Sequence, residues 1–176
     1  MNETQSSCEC SSHGSQVRLE KQDQQCTTST QLDYLKVRQD SISKCDKLYM
    51  SIAHQVAEQS RDKIHKVGCV VVKDNNIISM GYNGTPTGMD NKMRDTYGKT
   101  LPTVLHSEEN ALMKLAKTGG SSDGATLYCT HNPCWGCSRL LIQAGIARVV
   151  YCIVYDSSSL ELLKSANIEV IQYEVV

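Results

Sequence analysis

Phenylalanine is absent from this 176-residue chain, tryptophan occurs once, and all aromatic residues together make up 5%. Any task that needs a flat ring as a stacking platform therefore falls to a few side chains. A strong charge of one sign is missing too: 18 Lys and Arg against 19 Asp and Glu leave a net charge of -1. There is thus no global basic field to gather a polynucleotide. No apolar run approaches the roughly 20 residues that a membrane-spanning helix requires. The first residues lack the basic start and apolar stretch of a secretory signal, so the expected location is cytoplasmic and the expected compartment reducing.

What is present fits one globular domain. Hydrophobic residues make up 40% and charged residues 21%, the proportions of an ordinary folded chain. Nine cysteines are many for this length, and the number is odd. In a secreted chain they would suggest a disulfide framework with one thiol left over. In a reducing compartment, metal binding or chemistry is the better reading. Cys45, Cys69, Cys129 and Cys152 stand among apolar neighbours and read as small buried hydrophobes.

Residues 1–39 form a tail of different character. In its first 31 positions, 16 residues are Ser, Thr or Gln and aliphatic residues are nearly lacking. Such a segment buries too little apolar surface to offset its ordering entropy, and it is expected to be disordered or weakly helical. Cys8, Cys10, His13 and Cys26 lie in it with irregular spacing, a poor pattern for a metal.

Residues 40–176 carry the periodic patterns. Leu48, Ile52, Val56 and Ala57 recur at helical spacing and predict a helix over 43–63. Strands are predicted at 67–72 and 77–82, joined by a turn at Asp74-Asn75-Asn76. A long irregular stretch runs from Asn83 to Leu105, and a loop of that length is usually functional. A helix beginning near His106 stops at Thr118-Gly119-Gly120. Strand 125–130, helix 134–144, strand 147–152, helix 157–166 and strand 167–171 follow. The order αββαβαβαβ predicts a three-layer α/β/α sandwich with a mixed five-stranded sheet, its last three strands parallel through right-handed crossovers.

Two short motifs carry the chemistry. The first is His106-Ser107-Glu108; the second is Pro133-Cys134-Trp135-Gly136-Cys137. Pro133 suits a helix start. Cys134 then falls in the first helical turn, where the helix dipole favours thiolate. Cys137, three residues on, shares its face. With His106 these thiols make three ligands, leaving a fourth tetrahedral position for water, the pattern of one catalytic Zn2+ ion and not of a closed structural site. Such an ion brings the pKa of its water down to about 7. Glu108 stands two residues from His106, close enough to act as general base and then general acid.

The spacing H-x-E…P-C-x-x-C resembles the signature of zinc nucleobase deaminases. Further blocks sharpen the likeness: Gly81-Tyr82-Asn83-Gly84-Thr85-Pro86-Thr87-Gly88, Asp90-Asn91, Glu109-Asn110-Ala111-Leu112 and Thr126-Leu127-Tyr128-Cys129-Thr130. On these the folded part resembles the deoxycytidylate (dCMP) deaminases, phage-type members included, of the zinc-dependent cytidine deaminase superfamily. The resemblance implies hydrolysis of dCMP to dUMP and ammonia, supplying dTMP synthesis. It implies that His106, Cys134 and Cys137 bind zinc and that Glu108 shuttles protons. It places Asn83 on the deoxyribose, with Gly84 and Thr85 in the same substrate loop, and the backbone at Ser107 on the base carbonyl. His131, Asn132 and Tyr155 are further candidates for substrate contact; Tyr155 reads as readily as an exposed or half-buried packing residue, and a lone His such as His131 is more often a polar surface residue. The phosphate's partner is open among Lys73, Lys92, Arg94 and Lys99.

The same resemblance implies a homohexamer regulated by dCTP and dTTP with Mg2+, placed in the host cytoplasm if the source is viral. A small deoxynucleotide is the expected partner, with no polynucleotide and no membrane. Ser107 replaces the usual Ala, a harmless change where the backbone does the work. The Lys92-Met93 pair stands where many relatives carry Cys, so no second zinc is expected. Alternatives are a bifunctional dCMP/dCTP deaminase, an RNA- or tRNA-editing deaminase, which needs basic surface, and a zinc-stabilised nucleotide sensor, which has no use for Glu108.

Overall fold

The computed structural model describes residues 43–174. The 1–39 tail and its cysteines lie outside the described residues.

Helix α1 (Lys44–Ala57) starts on a reciprocal cap: the Asp46 backbone N–H donates to Ser43 Oγ, and the Ser43 N–H donates to the Asp46 carboxylate at 2.8 Å. Its inward face is Tyr49, Met50, Ala53, Val56 and Ala57. It ends six residues short of the predicted 63. Beyond Ala57 polar side chains compete for the backbone: Ser60 Oγ donates to the Asn83 carbonyl, and Asp62 Oδ1 accepts the N–H groups of Ile64 and His65. Such local bonds offer the chain an alternative to helix.

Strands β1 (Gly68–Lys73) and β2 (Asn76–Tyr82) form a hairpin. Asp74 and Asn75 sit at φ 50° and 60°, the left-handed pair that a two-residue hairpin turn demands. After the loop come α2 (Ser107–Lys117), β3 (Thr126–His131), α3 (Trp135–Gln143), β4 (Arg148–Ile153), α4 (Ser157–Ser165) and β5 (Glu169–Gln172). The strand order is β2-β1-β3-β4-β5. β1 runs antiparallel to both neighbours, while β3, β4 and β5 are parallel. The predicted order and the mixed sheet are both observed.

Period-two alternation splits the core into two layers. Val70, Val72, Tyr128, Val150 and Ile171 pack on α1. Cys69, Val71, Leu127, Cys129 and Val149 pack on the other face, against Ala111 and Leu112 of α2, Leu141 of α3 and Leu163 of α4. Each fully buried aliphatic side chain contributes about 1.5–3 kcal/mol. Cys69 and Cys129 are buried as expected, but Cys45 is exposed and Cys152 half-buried. Cys45 lies on the outward side of α1, beside the inward-facing Asp46. No helix among the described residues is long and apolar enough to cross a membrane.

Candidate active site

The N-termini of α2 and α3 meet at the carboxyl end of β3, where ligands of open α/β sheets gather. His106 is the N-cap of α2 in extended conformation (φ -71°, ψ 160°), its N–H bonded to the Glu109 carboxylate at 2.9 Å. The helix sits hard on β2. A Cβ at Gly81 would come within 2.1 Å of the Ser107 carbonyl oxygen and 2.6 Å of the Ala111 nitrogen, so only glycine allows the approach. Ser79 Oγ and Asn110 Nδ2 clamp the same contact, donating to the carbonyls of Ala111 and Tyr82.

Cys134 is the N-cap of α3 (φ -71°, ψ 170°), one position earlier than the first-turn placement expected from sequence. The extended backbone turns its sulfur back over the helix start, where Sγ accepts the Cys137 N–H at 3.5 Å. His106 Nδ1 lies 3.5 Å from Cys134 Sγ and 3.5 Å from Cys137 Sγ. A tetrahedral zinc ion with ordinary Zn–S and Zn–N bond lengths sets its sulfur and nitrogen ligands about 3.6 Å apart. Both nitrogen–sulfur pairs therefore already stand at zinc-ligand separations, and all three donor atoms lie within 4.8 Å of one another. Among the described residues no other group of three His, Cys, Asp or Glu comes together this closely.

Proton sharing inside the trio suits a cation. The Cys137 thiol bonds to Cys134 and, with His106, draws the Cys134 pKa down to about 4. The same contact, then burial, pushes Cys137 up. His106 rises to about 9, chiefly through its bond to Cys134. A divalent ion would displace the protons that Cys137 and His106 keep. Glu108 is 4% exposed. Burial raises its pKa above the usual carboxylate range, against a 2.8 Å hydrogen bond from Ser107 Oγ. It faces the cavity that His106 and Cys134 line.

Residues 43–153 match the family model for the cytidine and deoxycytidylate deaminase zinc-binding region. This chain belongs to the cytidine and deoxycytidylate deaminase family. A deoxycytidylate deaminase of Saccharomyces cerevisiae is 37% identical over 139 residues, covering 73% of this chain and 44% of that protein. The chain thus spans less than half the length of the yeast relative. The deoxycytidylate deaminase of Enterobacteria phage T4 is 32% identical over 165 residues, covering 69% of this chain and 86% of the phage protein. Among solved structures, the dCMP deaminase of cyanophage S-TIM5 in complex with dCMP and dUMP has a TM-score of 0.73 and 39% identity, over 75% of this chain and 98% of that one.

In this family member, one cavity is lined by His106, Ser107, Glu108, Cys134, Asn83, His131, Asn132 and Tyr155, all singled out from sequence. Cys137 is buried behind it. Gly84 and Thr85 are not among its walls. Gly84 is paired in both directions with Leu105, its N–H and carbonyl taken at 3.1 and 2.9 Å, so this part of the loop fastens the fold. Asn132 reaches the wall, but its carboxamide is fully used. Nδ2 donates to the Asp156 carbonyl at 2.6 Å and to Ser159 Oγ at 2.9 Å, and Oδ1 accepts the N–H groups of Tyr155 and Asp156. With two donors and one acceptor oxygen engaged, the side chain braces the β3–α3 loop against the β4–α4 loop and keeps no free side-chain donor or lone pair for a substrate.

Asn83 keeps more in reserve. Oδ1 accepts the Val67 N–H and Nδ2 donates to the His65 carbonyl, which leaves one N–H and one lone pair. His131 is half-buried, and burial, followed by the charges of His65 and His54, lowers its pKa. Tyr155 is 70% exposed, so its ring stands at the cavity mouth. Of the four basic candidates for the phosphate, only Arg94 lines the cavity. Asp62 also lines it, and sequence reasoning missed it. Its only signal was a Ser60-x-Asp62 pattern of turn-forming side chains after the helix.

Proposed function

We propose that this chain hydrolyses dCMP to dUMP and ammonia. One observation carries the reading: a buried carboxylate, Glu108, shares a cavity with His106 and Cys134, two members of a His-Cys-Cys trio whose nitrogen–sulfur distances are those of zinc ligands, in a chain 39% identical to a dCMP deaminase solved with dCMP and dUMP.

His106, Cys134 and Cys137 would hold the zinc ion. When bound, that ion supplies an activated water at neutral pH. The protein's own groups handle orientation and protons. Glu108, raised by burial and steadied by Ser107 Oγ, takes a proton from the attacking water and delivers it to ring N3, then carries the proton of the new C4 hydroxyl to the amine as the C4–N bond breaks. Water and dCMP thereby become dUMP and ammonia. In this reading the Ser107 backbone N–H, at the first turn of α2, holds the base carbonyl. Asn83 offers its remaining N–H and lone pair to the deoxyribose. His131 and Tyr155, both on the cavity wall, contribute contacts to the base or sugar in this reading. Assembly as a homohexamer, regulation by dCTP and dTTP with Mg2+, and a cytoplasmic location belong to this reading on the family resemblance.

The test is ammonia release over dCMP, dCTP, CMP, deoxycytidine and single-stranded DNA, with zinc content measured alongside. Wild type should prefer dCMP. Glu108→Gln should lower turnover by about 10²–10⁴-fold, the usual worth of general acid–base catalysis, with zinc retained. Unchanged dCMP turnover in a zinc-loaded Glu108→Gln protein would refute the mechanism. Equal rates on dCTP would widen the substrate to the triphosphate.

A further inference from the structure

Substrate with a 5′-phosphate needs a cation at the end of the cavity away from the base. The wall contains one side chain with a permanent positive charge, Arg94. Arg94 sits on a small hairpin: it pairs antiparallel with Thr100, and the Asp95 N–H donates to the Lys99 carbonyl at 2.9 Å. Gly98, at φ 79°, makes the turn. Met93 is 7% exposed, and its carbonyl accepts the Leu101 N–H at 3.0 Å. The hairpin is thereby pinned to the core on one side and presents Arg94 to the cavity on the other.

The guanidinium is aimed by a buried carboxylate. Asp62 is 2% exposed. It accepts Arg94 Nε–H on Oδ1 at 2.9 Å and Nη2–H on Oδ2 at 2.8 Å. Arg94 Nη1 donates to the Gly98 carbonyl at 2.7 Å. Three of five N–H groups are thus taken, leaving one on each terminal nitrogen. Two such donors on one planar group match two oxygens of a phosphate. The Ile64 and His65 N–H dipoles also point at Asp62 Oδ1 and offset part of the carboxylate's field, so the arginine's far edge keeps a positive potential. Lys73, Lys92 and Lys99 do not reach the cavity wall.

We infer that Arg94, oriented by Asp62, is the phosphate-recognition residue of this cavity. The inference rests on the dCMP reading, since it names the group that selects a nucleotide over a nucleoside.

Two measurements test it together on the full chain with zinc bound: steady-state kinetics on dCMP, and calorimetric binding of dUMP and of deoxyuridine. The charge-assisted bonds lost in Arg94→Gln should raise KM for dCMP about 10- to 150-fold, with kcat within about threefold. The preference for dUMP over deoxyuridine should fall by the same factor. Arg94→Lys should restore part of both, as a point charge without the fork. The decisive arm is Asp62→Asn/Arg94→Gln. It removes both partners, so no buried charge is left unpaired. If the pair is merely structural, this double variant recovers wild-type KM; if Arg94 grips phosphate, KM stays raised. A change below threefold in Arg94→Gln, recovery in the double variant, or a wild type that binds deoxyuridine as tightly as dUMP overturns the inference. A wild type that prefers dUMP yet releases no ammonia from dCMP sinks the proposed function and leaves the phosphate assignment to stand on the binding arm.

Discussion

Removing the carboxylate of Asp46 should weaken the fold by an amount the structure lets us work out. Asp46 is 1% exposed. It takes two hydrogen bonds from Arg148, Nη1 to Oδ1 at 2.7 Å and Nη2 to Oδ2 at 3.0 Å, and one from the Tyr128 hydroxyl at 2.6 Å. Burial acts to raise its pKa, but the Arg148 and Tyr128 bonds hold it down at about 2, from 3.8. At about 1.36 kcal/mol per pK unit, that fall is worth roughly 2 kcal/mol at neutral pH. The sign follows from the direction. A group whose folded pKa is depressed stabilises above its unfolded pKa, so the contribution is complete above about pH 4 and drains away as pH falls towards 2. The assay is urea unfolding of wild type, Asp46→Asn, Arg148→Met and the double variant, all at pH 7 with zinc saturating. Each single change strips a half-buried or buried charge of its main partner, leaving Arg148 with Glu169 as its carboxylate or Asp46 with Tyr128 and Ser43, and should cost about 2–4 kcal/mol; the double should cost less than their sum, with a coupling of roughly 2 kcal/mol. A coupling under about 0.5 kcal/mol at pH 7 would refute the reasoning, as would one that persists undiminished at pH 2.5.

Two further outcomes are expected. Gly81→Ala places a methyl against the Ser107 carbonyl and should push α2 off β2, so zinc content and dCMP turnover should fall together; retention of both would mean the helix can give way cheaply. Ser138 Oγ is buried with no hydrogen-bond partner, so Ser138→Ala should leave the urea midpoint unchanged or raise stability by up to about 1 kcal/mol. A loss of more than that would point to an unseen partner for the hydroxyl.

Legibility in the sequence followed interaction range. Helices and strands with strong apolar periodicity lay where the pattern put them, because burial of one face dominates their energetics. Boundaries moved where a local hydrogen bond outbid the pattern. Ser60 and Asp62 ended α1 early, and Cys134 became a cap where a helical residue was expected. The His106, Glu108, Cys134 and Cys137 group was legible because both halves sit at helix starts, which are readable locally. Cys45 was misjudged because apolar neighbours in sequence do not reveal which side of a helix a residue takes.

The sequence by itself determined the elements, their order, the mixed sheet and the His-Cys-Cys cluster, since each depends on periodicity or on spacing within a few residues. Only the tertiary structure decided which atoms remain free to act. It engaged every Asn132 contact in bracing two loops, tied Gly84 to Leu105, and brought Asp62 across 32 residues to orient Arg94. Such pairings depend on how segments far apart in the chain fold back together, and no local pattern encodes the free valences of a side chain once its neighbours have bonded to it.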